Sequence, residues 1–134
     1  MFTKLTTLMN TILLYEEAIS EFQTAGILEG LTPEEAARRA AAVRQAYRTA
    51  GAKGYWQKRL ELTLENAKRE YTPPDDFALL YARVGDEERM YEFLQKAYDE
   101  RGKGMTLIKV EPAFEPYRAE PRFQALMRRV GLPQ

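Results

Sequence analysis

Apolar residues recur at intervals of three and four along most of the chain, which reads as a succession of amphipathic helices. From Phe2 to about Gly26, Leu5, Leu8, Ile12, Tyr15, Ile19 and Phe22 alternate gaps of three and four and form one seam. The seam predicts one long helix, or two with a tight break near Asn10. Gly26 and Gly30 then loosen the chain before Leu31-Thr32-Pro33-Glu34-Glu35. Thr32 suits a helix N-cap, Pro33 the first helical position, and Glu35 completes a capping box, so a helix starts here. Its inner stripe is Ala36, Ala40, Val43, Tyr47 and Ala50, narrow enough for close helix approach, and Gly51 ends it. A third helix runs from about Ala52 to Glu70 on Trp56, Leu60, Leu64, Ala67 and Tyr71.

The stretch Tyr71 to Gly104 has the clearest punctuation. Phe77, Ala78 and Tyr81 share one face of a first short helix, and Met90, Leu94 and Ala97 one face of a second. Between them, Val84-Gly85-Asp86 offers a residue tolerant of positive φ as a stop and a carboxylate able to cap the next helix. Thr72-Pro73-Pro74-Asp75 caps the hairpin at its start. Gly102-Lys103-Gly104 reads as a joint, Met105 to Ile108 as an apolar turn, and Pro112 and Pro116 leave Phe114 and Tyr117 in a cramped segment that plugs the end of the structure. Pro121 opens a last helix with Phe123, Leu126, Met127 and Val130 inward, and Gly131-Leu132-Pro133 ends it.

The arrangement Phe77-Ala78, Tyr81, Gly85, Leu94, Ala97 resembles one tetratricopeptide repeat, in which small residues sit where two helices touch. Met90 and Arg101-Gly102 depart from that pattern, where a small residue and a closing proline are usual. Over Gly54 to Pro133 the chain is similar to the C-terminal end of tetratricopeptide (TPR) regions in bacterial winged-helix regulators, nucleotide cyclases and protein kinases. Ala119 stands where that family usually places serine, which predicts a weaker cap for the last helix. The resemblance implies an all-α fold of about five to seven helices stacked as antiparallel hairpins, with a C-terminal capping helix. It divides a single domain, 1–134, into an N-terminal helix (1–30), a helical hairpin (31–70), the TPR hairpin (71–104) and the cap (105–134). It also implies a scaffold with no chemistry of its own.

Composition narrows the function. The 134 residues, 45% hydrophobic and 30% charged, suit one folded domain with a real core. Twenty basic and twenty acidic residues cancel, which removes the usual footprint of a nucleic-acid binder. Lys53, Tyr55, Trp56, Lys58 and Arg59 interleave charge with aromatics, yet helical periodicity already accounts for the rings as core. Histidine and cysteine are both absent, which removes the commonest zinc ligands and every Ser-His or Cys-His nucleophile. The acidic doublets Glu34-Glu35, Asp75-Asp76 and Glu87-Glu88 fall in first helical turns, where the helix dipole explains them. No phosphate loop, metal spacing or nucleophile elbow is present. The N-terminal apolar run is too short to span a bilayer and has no cleavage site, so a cytoplasmic, non-enzymatic protein without cofactors is expected.

Two functions follow. As a binding module, the chain would hold a peptide in a concave groove. With Phe77, Ala78 and Tyr81 inward, Asp75, Leu79, Ala82 and Arg83 are left for the concave face, joined by Arg44 and Arg48 if Pro33 to Ala50 is the first helix of the preceding hairpin. Guanidinium groups there suit an acidic segment or a C-terminal carboxylate. As an assembly module, the chain would pair through the Leu5–Phe22 seam with a second copy, giving a homodimer. The plainer alternative is that the seam packs on the chain's own next hairpin, and that the arginines pair with local glutamates. Neither function involves nucleic acid or membrane.

Overall fold

The computed structural model describes residues 2–101, 105–106 and 108–131, with side chains from Thr11 onward. The 102–104 joint, Leu107, Leu132-Pro133 and the side chains of Leu5 and Leu8 therefore lie outside the described residues. Every regular element among the described residues is helical, as the spacing of apolar positions predicts. The chain forms two compact units, residues 1–58 and 59–134.

The first unit is built from α1 (Phe2–Leu28) and most of α2 (Pro33–Ala67). The backbone of α1 is helical throughout, without a break at Asn10. Thr32 Oγ1 accepts the Glu35 N–H at 3.1 Å, the first half of the capping box, while the Glu35 carboxylate pairs with Arg38 instead of reaching back. The lower seam of α1 is used internally: Ile19 is fully buried in one core with Ala36, Ala40, Val43 and Tyr55. Tyr15 stacks on Tyr47 at 4.5 Å between ring centroids and meets Tyr55 edge-on at 4.9 Å.

At Gly51, α2 breaks with φ 66° and ψ −150°, values that only glycine takes without strain. The break changes the direction of the helix and resets which residues face the core. On the stripe expected through Trp56, Leu60 is buried as its spacing requires, whereas Trp56 itself is half-exposed, its ring edge-on to the buried Tyr55 at 4.8 Å. Three residues past the break, Gly54 lies against the preceding segment, where a Cβ would stand 2.3 Å from the Ala46 carbonyl oxygen.

In the second unit the helix that began before the boundary ends at Ala67, three residues short of the expected end. Tight turns follow, with Lys68 N–H bonded to Glu65 O at 3.2 Å and Arg69 N–H to Asn66 O at 3.0 Å. They take Tyr71 off the apolar stripe; it is 73% exposed, its hydroxyl bonded to Glu100. Leu64, also expected inward, is 40% exposed. Helices α3 (Pro74–Val84) and α4 (Glu87–Asp99) then form the central hairpin. Gly85 has φ 85°, and the bonds Gly85 N–H to Ala82 O (3.2 Å) and Asp86 N–H to Tyr81 O (2.9 Å) complete a Schellman stop. Asp86 caps α4 by accepting the Arg89 N–H at 3.3 Å.

Phe77, Ala78, Tyr81, Met90, Leu94 and Ala97 are all buried, as their spacing requires. Phe93 adds rings to this core, 5.0 Å from Phe77 and 5.5 Å from Tyr81. At the start of α3, Pro73 occupies the cap without a side-chain hydrogen bond, and Pro74 supplies a preset φ. The cramped 112–117 stretch is a 3-10 helix (Pro112–Tyr117). It buries Phe114 against Phe123 at 5.7 Å and points the Tyr117 hydroxyl at the Ala82 carbonyl, 3.2 Å away. Helix α5 (Pro121–Val130) follows, with Phe123, Leu126 and Met127 inward. Glu120, not Ala119, is its cap residue, and it makes no capping hydrogen bond.

Candidate functional site

Of the five residues proposed from the sequence to bind a peptide, Arg44 and Arg48 belong to the first unit, one turn apart on α2. Arg44 Nε donates to Glu16 Oε2 at 3.2 Å, which is the local pairing that competes with ligand binding; Arg48 is exposed. Asp75, Leu79 and Arg83 belong to the second unit and follow one another every four residues along α3, so they form one line. Asp75 and Leu79 are half-buried and Arg83 is exposed. Ala82 does not join that line. It is buried, and its carbonyl takes the Tyr117 hydroxyl, because the 3-10 segment packs against α3.

A second feature was not apparent from the sequence. Between α4 and α5 lies a cleft of about 720 Å³, crossed by two rungs. Arg122 donates to Glu88 at 2.9 Å and Arg129 to the Gln95 side-chain oxygen at 2.8 Å. Both rungs join residues 34 apart, and a constant offset means that α4 and α5 run in the same direction. Each guanidinium also lies over a ring: Arg122 over Tyr91 at 4.1 Å and Arg129 over Tyr98 at 4.5 Å. The signal was present in the sequence as two pairs seven residues apart, Glu88 with Gln95 and Arg122 with Arg129. Nothing local says that these helices are neighbours.

At the N-terminal end of the cleft the buried Tyr91 donates its hydroxyl to Glu120 at 2.7 Å. Burial, and then that hydrogen bond, push the phenol well above its ordinary pKa. Glu87 lies beside the same Glu120, and their interaction raises the Glu87 carboxyl above its ordinary pKa and lowers that of Glu120. Tyr117 is raised by burial and by the nearby acidic charges. Among the described residues no group of three His, Cys, Asp or Glu side chains is gathered as a metal site, and no helix is long and apolar enough to cross a membrane.

Compared with models of protein families, with curated proteins and with solved structures, the chain matches none.

Proposed function

We propose that the chain is a non-catalytic, cytoplasmic protein-interaction scaffold of TPR-like hairpins, resembling the C-terminal TPR segments of bacterial regulators. The observation that supports this reading is a spacing of 34 residues, the length of that repeat. Gly51 and Gly85 stand 34 apart and both hold a positive φ, Gly51 at the kink within α2 with ψ −150° and Gly85 at the stop between α3 and α4 with ψ 16°. The α4–α5 rungs join residues at that same offset of 34. The lack of cysteine suits a reducing compartment.

In this reading the line Asp75, Leu79, Arg83 is the ligand face of its hairpin, and Arg44 and Arg48 are further carboxylate-binding residues on the helix of the first unit. The Arg44–Glu16 pair is about a third exposed on both sides, and such pairs contribute about 0–1 kcal/mol, so an incoming carboxylate can replace Glu16. The test is titration calorimetry of the wild type and an Arg44→Glu/Arg48→Glu/Arg83→Glu variant with acidic C-terminal peptides. Binding by the wild type and its loss in the variant is expected; no binding, or equal binding by both, refutes the reading.

One observation favours a second reading, self-association through α1. Ile12, Leu13 and Leu14 are consecutive and 44%, 61% and 64% exposed, an apolar turn with no cover in the first unit. Sedimentation across a concentration series would reveal a dimer, and Leu13→Asp/Leu14→Asp would abolish it. A wild type that stays monomeric excludes this reading.

A further inference from the structure

The α4–α5 cleft carries one cation in excess. Arg89, Arg122 and Arg129 line it against Glu88 and Glu92. Glu88 is taken by Arg122, Glu92 pairs with Lys96 at 3.7 Å, and Arg89 has Asp86 at 3.6 Å. Arg129 is different: its partners are the neutral Gln95 and the ring of Tyr98, and among the described residues no carboxylate pairs with it. Its guanidinium is held in place by that ring and by Gln95, whose amide is itself bonded to Asp99 at 2.9 Å. A cation fixed in this way loses little freedom when a ligand arrives.

We infer that this cleft docks an acidic amphipathic helix of a partner protein, which brings a carboxylate to Arg129 and lays an aliphatic side chain over Ala125 and the edge of Leu126. The spacing selects a helix. Arg122 and Arg129 are seven residues apart on α5, two turns or about 10 Å along the axis. A ligand helix with Glu at positions i and i+7 presents carboxylates at that same interval, and its residue i+3 or i+4 falls between them. Arg122 is open to exchange, because its present partner Glu88 is 81% exposed. This face is separate from the α3 line and needs neither Arg83 nor the first unit.

The test is fluorescence anisotropy on the full chain with a labelled, end-capped helical peptide carrying two Glu seven apart and Leu between them, and with its Lys-for-Glu counterpart. The wild type should bind the Glu peptide and ignore the Lys peptide. Arg129→Glu should weaken the Glu peptide by about tenfold or more and gain binding to the Lys peptide. Arg44→Glu/Arg48→Glu/Arg83→Glu should bind the Glu peptide as the wild type does. The wild type failing to bind the Glu peptide, or binding both peptides alike, overturns the inference. An Arg129→Glu protein that binds like the wild type does so too. Loss only in the triple variant overturns it while supporting the α3-face reading. The two peptides perturb the ligand and not the protein, so the wild-type comparison stands even if Arg129→Glu does not fold.

Discussion

Gly54→Ala should destabilise the protein, although helix propensity alone says the reverse. In an unobstructed helix interior this substitution stabilises by about 1 kcal/mol. Here the new Cβ would lie 2.3 Å from the Ala46 carbonyl oxygen and 2.8 Å from the Ala50 Cβ. Ordinary carbon–oxygen contacts fall at about 3.3–3.6 Å, so the two helical segments must part by about 1 Å. A backbone carbonyl cannot rotate away as a side-chain tip would, which puts the overpacking cost near the upper end of its usual range, about 3 kcal/mol. Subtracting the propensity gain leaves a net loss of about 2 kcal/mol. Urea unfolding followed by tryptophan fluorescence reads it directly, because Trp56 is the only tryptophan and lies two residues away. The midpoint should fall with an unchanged denaturant slope. A midpoint that stays or rises would mean that the segments before and after Gly51 do not approach at Gly54.

Gly85→Val should cost about 1–3 kcal/mol from backbone conformation alone, since a Cβ there meets nothing within 4 Å while φ is 85°; an unchanged melting temperature would refute the turn. Ile19→Asp, in the core, should unfold the first unit or cost several kcal/mol, whereas Ile12→Asp, at 44% exposure, should change a dilute sample by about 0.5 kcal/mol or less; equal effects in thermal melts would contradict the packing of α1. Glu87→Gln tests the coupling of Glu87 to Glu120. With the folded pKa of Glu87 raised, the folded wild type binds more protons than the unfolded chain above the ordinary carboxyl range of about 4.3, so this group's contribution to stability falls as pH rises through that window. Glu120 acts in the opposite sense at lower pH, its contribution being lost as pH falls through its lowered pKa. The Gln amide keeps donating to Glu120, so the variant should lose the decline above the carboxyl range, and a variant with the same slope of stability against pH would refute the pairing.

What the sequence determined by itself is local. Thr32 and Glu35 start a helix, Gly85 and Asp86 stop one and begin another, and Phe77, Ala78, Tyr81, Met90, Leu94 and Ala97 are buried, because capping, positive φ and helical period act over four residues or fewer. The same logic fails where a local event resets the phase. A stripe started on Trp56 missed Tyr55, which is buried just past the Gly51 kink, and counting on past Ala67 selected Tyr71 after the helix had already ended. Only the tertiary structure decided what is non-local. That Tyr117 seals the Ala82 carbonyl, that Glu16 claims Arg44, and that α4 and α5 lie parallel with Arg122 and Arg129 as rungs depend on contacts between residues about 30 apart. The periodicity of one helix says which face is apolar; which other face it meets is settled by packing, and packing belongs to no single stretch of the chain.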